Sequence, residues 1–208
     1  EQYKSDKNLN IRSNLHSYNI NKIDFDKWCF KQINFPSDAR VLELGCGTGK
    51  FWLKNKENID KSLDITLSDF SKSMLKIAKD KLKEVDYKFK YEEINMENIP
   101  YEDNSFDVVI LFGPMYHLIS FEDKVKALNE AKRVVKDNGY IFISYYMNDY
   151  AIMKHGFIDK NIKVAFEKEN VNEEFHIVSK ENDLYSFVTM EEIDKLKSEL
   201  LLINESYF

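Results

Sequence analysis

Gly45, Gly47 and Gly49 stand at alternate positions directly after the apolar run Val41-Leu42-Glu43-Leu44. A buried strand that breaks into glycines and then into a helix leaves bare main chain at its carboxyl end, where a ligand can lie against the backbone. The spacing Gly-x-Gly-x-Gly differs from the Gly-x-Gly-x-x-Gly that receives a pyrophosphate. Lys50 is followed by Phe51, not by the serine or threonine of a P-loop. Glu43 precedes the glycines, and a carboxylate suits a cofactor end bearing an ammonium and a sulfonium better than one bearing phosphates. The plain alternative is a tight strand-to-helix turn with no ligand. Asp69 favours the ligand, because it closes a second strand in Leu67-Ser68-Asp69-Phe70-Ser71, where a carboxylate can accept hydrogen bonds from both hydroxyls of a ribose. Its own alternative is a solvated turn aspartate or a helix N-terminal charge.

A second group lies in Phe112-Gly113-Pro114-Met115-Tyr116-His117-Leu118. The ordinary pKa of a histidine lets His117 serve as a general base near neutral pH. Tyr116 can orient an acceptor through its hydroxyl. The alternative for His117 is a structural ring bonded to backbone near a helix start.

These residues need strands and helices to position them. The spacing of Phe25, Trp28, Cys29 and Ile33 predicts an amphipathic helix over 22–34. Strands are expected at 40–44, 63–68, 87–94, 106–111 and 140–145, with a sixth at 200–208. Helices are expected at 48–57, after an N-cap at Ser71, at 121–136 and at 190–199. Asp137-Asn138-Gly139 reads as a turn. Residues 147–188 read as the least regular part. Strands alternating with helices argue an α/β domain with a mostly parallel sheet.

A chain of 208 residues fits one domain. Hydrophobic residues make up 43% and charged residues 32%, a composition that excludes a disordered chain. The longest strongly apolar run, Val108 to Phe112, is too short to span a bilayer, and Glu-Gln-Tyr-Lys-Ser-Asp at the start shows no signal peptide. Cys29 and Cys46 are two cysteines within packed elements, read as reduced small hydrophobes in a cytoplasmic protein. A net charge of -6 argues against a nucleic-acid partner. No Asp/Asn/His cluster has metal-ligand spacing, so no metal is expected.

Glu43-Leu44-Gly45-Cys46-Gly47-Thr48-Gly49 resembles the first motif of the class I, Rossmann-like S-adenosylmethionine-dependent methyltransferases, and Asp69 falls where that family keeps its ribose-binding acid. Residues 94–109 are similar to the family's passage from third to fourth strand, and 133–144 to its following helix and fifth strand. The likeness is closest to the small-molecule, type 11 branch. It implies a three-layer fold with a mostly parallel central sheet of six to seven strands flanked by helices. It also implies S-adenosylmethionine as cofactor, S-adenosylhomocysteine as product and a small-molecule acceptor methylated at O, N or C.

On matching positions, the resemblance puts Gly45, Cys46 and Gly47 against the methionine part and ribose. Asp69 falls on the ribose hydroxyls, and Phe70 and Met96 on adenine. Asn95 stands where the family carries an aspartate that accepts from the adenine amino group. Leu111 and Phe112 are placed to offer carbonyls to the methionine ammonium. Residues 1–35, with Tyr3, Arg12, His16 and Tyr18, become an arm or lid, and Arg12 a partner for the cofactor carboxylate. Residues 36–146 become the cofactor core, and 189–208 the final helix and strand. Residues 147–188, with Tyr150, His155, Phe157, Phe166 and His176, become a substrate lid for a partly apolar acceptor.

Rival readings are a nucleic-acid or protein methyltransferase and an inactive member of the fold that binds only cofactor or a partner. The run Gly113-Pro114-Met115-Tyr116 lacks the polar first residue and second proline that base-amine methyltransferases carry there. Neither cysteine stands where a cytosine-C5 enzyme keeps its nucleophile. The intact glycine turn and Asp69 speak against loss of cofactor binding.

Overall fold

The computed structural model describes residues 24–200. Its centre is a five-stranded parallel sheet of β1 (Arg40–Leu44), β2 (Asp64–Asp69), β3 (Lys90–Glu93), β4 (Phe106–Leu111) and β5 (Val135–Ile143). The strand order is β3-β2-β1-β4-β5. The chain moves outward from β1 through β2 to β3, then returns to lay β4 on the other flank of β1. Strand order therefore reverses between β1 and β4, and the crevice at their carboxyl ends is where open α/β sheets receive ligands.

Helices cover both faces. They are α1 (Phe25–Gln32), α2 (Lys50–Asn55), α3 (Lys72–Leu82), α4 (Phe121–Val134), α5 (Asn148–Ala151), α6 (Ile162–Glu167) and α7 (Met190–Leu200). Local chemistry starts them. Asp24 accepts from Lys27 N, Ser71 from Met74 N and Ser120 from Asp123 N, each satisfying an N–H that the first turn leaves unpaired. Thr189 does the same for Glu192 N at the head of α7.

Alternation along the strands divides the core in two. Val41, Ile65, Leu67, Val108 and Ile110 pack with Phe51, Trp52, Ala78 and Leu82 on one face. Leu42, Leu44, Phe106, Val109 and Leu111 pack with Leu128, Ala131, Val134 and Leu196 on the other. β1 and β4 are buried from both sides, which is why their sequences run apolar without alternating.

Several expectations need correcting. The described residues form five strands, not six to seven, and residues 201–208 of the expected sixth strand lie outside them. The helix expected over 22–34 is α1 alone, because Asp24 caps it and Ile33 is already extended. The helix expected over 48–57 divides into α2 and a 3-10 turn at Lys56–Asn58. The third strand keeps only the four residues that pair with β2. Asp137-Asn138-Gly139 does not precede the fifth strand but bulges within it. β4 advances from Phe106 to Val108 while β5 advances from Val135 to Tyr140. The strand ends at Ile143, not at 145. Residues 147–188 hold two short helices, α5 and α6, and a π-helical turn at Ile152–Ile158.

Gly49 caps α2 at φ 70°, and a Cβ there would lie 2.7 Å from Leu82 Cδ1, in the buried seam between α2 and α3. Left-handed backbone costs an L residue roughly 1–2 kcal/mol, and overpacking a core adds about 1–3 kcal/mol. Gly49→Ala is therefore expected to lower unfolding free energy by about 2–4 kcal/mol. A urea midpoint shift at constant slope checks this, and a variant as stable as the parent would contradict the packing described.

Candidate active site

The end of β1 and the end of β2 are joined before any ligand is considered. Cys46 N donates to Ser68 O at 2.8 Å, and Ser68 Oγ donates to Glu43 O at 2.8 Å. Asp69 completes the junction. Its Oδ2 accepts from Gly47 N at 2.9 Å and its Oδ1 from Ser71 N at 2.8 Å. One carboxylate thus fixes the glycine turn to the start of α3. Burial raises the Asp69 pKa above the usual carboxylate value, and the two N–H donors pull it back.

The glycines of the turn do different work. Gly45 backs onto Pro114, whose Cδ would lie 2.9 Å from an added Cβ. Gly47, at φ 55°, has nothing within 4 Å of that position. The turn is therefore packed behind and open in front, and it leaves a bare cradle that fits a nucleoside-bearing cofactor. Phe70 stands beside it with 74% of its surface exposed, so its ring belongs to the rim of the crevice and not to the core. Asn95 is exposed, and its Oδ1 accepts from Glu97 N at 3.0 Å in a local turn. Met96 is half-buried against the second core cluster.

Other expected site residues take unexpected places. Glu43 is 3% exposed and lies beneath the turn, its Oε2 accepting from Trp52 Nε1 at 2.6 Å. Leu111 O accepts from Ser144 N at 3.2 Å and Phe112 O from Ser144 Oγ at 2.6 Å, so one serine of the loop after β5 engages both carbonyls. Cys46 is buried. Desolvation, with the Glu43 and Asp69 charges nearby, pushes its thiol well above the ordinary value, which makes it unreactive. Arg12, with Tyr3, His16 and Tyr18, lies outside the described residues.

Tyr116 and His117 sit in a 3-10 turn, Met115–His117, directly after the close passage of Gly113 over the glycine turn. A Cβ on Gly113 would lie 2.7 Å from Gly45 O and 3.9 Å from the Tyr116 hydroxyl. The Tyr116 hydroxyl therefore lies beside Gly113. The Tyr116 ring stacks on Tyr146 at 4.2 Å and 7°, and Tyr185 closes edge-on at 5.5 Å from Tyr116 and 5.1 Å from Tyr146. His117 Nδ1 meets Leu184 O at 2.9 Å.

Tyr146, Tyr185 and Trp52 escaped sequence reasoning. Only the adjacent tyrosines at 145 and 146, just past a strand, offered a signal. Of the lid residues singled out, Phe157 and Phe166 gather around Phe175 at 5.8 and 5.5 Å, and His155 pairs with Asp159 at 3.1 Å. His176 faces Glu174 at 3.7 Å, and Tyr150 is exposed. Among the described residues, no group of three His, Cys, Asp or Glu side chains could hold a metal ion. No described helix is long and apolar enough to cross a membrane.

Comparison with known proteins agrees with this geometry. Residues 41–139 match the family model described as a methyltransferase domain. That match covers the core from β1 to the bulge within β5. A ubiquinone/menaquinone biosynthesis C-methyltransferase of Haemophilus ducreyi is 32% identical over 136 residues, 64% of this chain and 51% of the relative. One from Pseudoalteromonas translucida is 30% identical over 189 residues, 89% of this chain and 64% of the relative. The chain spans about half the length of several of these curated relatives. A SAM-dependent methyltransferase of Methanosarcina mazei superposes with a TM-score of 0.63 at 15% identity, covering 86% of this chain and 85% of that one. A possible histamine N-methyltransferase of Thermotoga maritima gives 0.58 at 21%, covering 95% and 78%. At those identities the structures establish the fold alone.

Glu43 gives the site a pH signature. Burial pushes its pKa up to about 8, against the pull of the Trp52 N–H and with help from the Asp26 and Asp69 charges. An unfolded glutamate titrates near about 4.3. Between those values the native state holds the extra proton, so this group's contribution to stability declines as pH rises through the window. Glu43→Gln keeps an acceptor oxygen for Trp52 and has no proton to lose. Urea midpoints should fall from about pH 5 to about pH 8 in the wild type relative to Glu43→Gln. Parallel profiles would show that Glu43 does not titrate there.

Proposed function

We propose that the chain transfers a methyl group from S-adenosylmethionine to a small, uncharged acceptor bearing a hydroxylated aromatic ring, with His117 as base and Tyr116 as orienting group. One observation carries this reading. The segments that meet on the acceptor side, 112–118, 144–148 and 184–188, contain one histidine and no Asp, Glu, Lys or Arg. An amine would arrive as a cation beside a sulfonium and would call for carboxylates, and an anionic acceptor would call for a basic partner. Tyr116, Tyr146 and Tyr185 offer ring faces and hydroxyls instead. The names of the curated relatives, which describe C-methylation in quinone biosynthesis, support the same acceptor class.

When bound, S-adenosylmethionine supplies a methyl carbon already activated by its sulfonium, so the protein's task is alignment and proton removal. Gly45 and Gly47 present bare backbone to it. Asp69 accepts from the ribose hydroxyls with the lone pairs its backbone donors leave. Phe70 and Met96 cover adenine, with Asn95 at its edge. The carbonyls of Leu111 and Phe112 receive the ammonium on the lone pairs that Ser144 leaves, and Arg12 pairs with the carboxylate. Cys46 lines the turn as a small apolar group, and Glu43 acts from beneath it. His117 Nδ1 faces a carbonyl, which only accepts, so Nδ1 carries the hydrogen and Nε2 is the ring atom that takes the acceptor's hydroxyl proton. Loss of that proton enriches both the oxygen and the adjacent ring carbon. Residues 147–188 supply the lid.

Calorimetric titration of S-adenosylhomocysteine tests the cofactor half. Asp69→Ala is expected to weaken binding by about 1–3 kcal/mol, the scale of a hydrogen bond to a charged group. Equal affinity would remove Asp69 from the cofactor. A panel of a naphthoquinol, a catechol, a primary amine and tRNA tests the acceptor half. Methylation of a ring substrate, lowered about 10²–10⁴-fold in His117→Gln, is expected. Methylation confined to the amine or the tRNA would sink the proposal.

A further inference from the structure

We infer that Ser186 is a positioning residue for His117, and that the strap Leu184–Val188 sets which ring nitrogen is basic. The inference rests on His117 acting as the base. Ser186 is 2% exposed and grips the backbone on both sides of that histidine. Its N–H donates to Tyr116 O at 2.8 Å, and its Oγ donates to Leu118 O at 2.8 Å. Two residues earlier, Leu184 O meets His117 Nδ1 at 2.9 Å. Three bonds from Leu184 and Ser186 to the consecutive residues Tyr116, His117 and Leu118 thus hold the backbone and the ring of His117 as one unit. The imidazole can neither turn over nor exchange tautomers without breaking the bond to Leu184, so the hydrogen stays on Nδ1 and the lone pair on Nε2.

The strap is anchored at its far end as well. Val188 N donates to Tyr146 O at 2.9 Å, and Asn148 N donates to Val188 O at 2.8 Å. Asn148 is itself buried, with Oδ1 accepting from Ile177 N and Nδ2 donating to Phe175 O. The loops after β4 and β5 are therefore tied together by one segment, and Tyr185 from its middle packs on Tyr116, His117 and Tyr146. Ser186 is buried with its Oγ and N–H given to Leu118 O and Tyr116 O, so it acts through His117.

The test compares wild type, Ser186→Ala and Ser186→Thr by long-range ¹H–¹⁵N correlation of the His117 ring, which needs no acceptor. Wild type and Ser186→Thr should show a single Nδ1–H tautomer, and Ser186→Ala a mixture. With a naphthoquinol, Ser186→Ala should lose at least about tenfold in kcat, with KM for S-adenosylmethionine within about twofold and activity restored in Ser186→Thr. An unchanged tautomer in Ser186→Ala overturns the inference, whatever the activity. If Ser186→Ala does shift the tautomer while His117→Gln turns over at the wild-type rate, positioning of the ring stands and the assignment of His117 as base fails.

Discussion

The carboxylate of Asp69 is the constraint on which the rest of the site depends. It accepts one backbone N–H from the turn after β1 and another from the start of α3, and so joins two parallel strands at the end where a ligand must sit. Without that clamp the glycine turn would have an uncompensated buried N–H and no fixed direction. With it, the bare face of Gly47 looks into the crevice and Gly45 is pressed against Pro114. Because Pro114 belongs to the loop that carries Tyr116 and His117, the clamp also fixes how closely the acceptor side approaches the cofactor side.

Charge is distributed unevenly about this clamp. Glu43 and Asp69 lie at the glycine turn, both with raised pKa values because burial penalises their ionised forms. A cationic ligand above them would offset that penalty. Segments 112–118, 144–148 and 184–188, where Tyr116, Tyr146 and Tyr185 meet, carry no acid and are joined by ring contacts and backbone bonds. Transfer of an already activated methyl group, as proposed, would leave little bond-making chemistry to the side chains.

The fold was legible where burial imposes periodicity on a short stretch. β1, β2 and β4 lie almost where their apolar runs place them, and Ser71 caps α3 as its position suggests. Legibility fell off at edges. β3 is short because only four of its residues find partners on β2, and β5 swallows an Asp-Asn-Gly sequence that reads as a turn. Both outcomes depend on a neighbouring strand that is remote in sequence. The glycine turn and the acid after β2 were equally legible as a strand-end arrangement, since Gly47 takes a positive φ and Asp69 accepts from its N–H.

The sequence by itself determined the glycine turn, the acid after β2 and the alternation of strands and helices, because each follows from local backbone conformation and the side-chain period of a few consecutive residues. The tertiary structure decided the rest. It buried Glu43 and paired it with Trp52, and it gave Ser144 a bond to each of the carbonyls of Leu111 and Phe112. It also brought Leu184 and Ser186 across 67 and 68 residues of chain to grip the segment around His117. Contacts of that kind arise from how separate elements dock, and docking is fixed by the summed packing of the whole core and not by any local pattern.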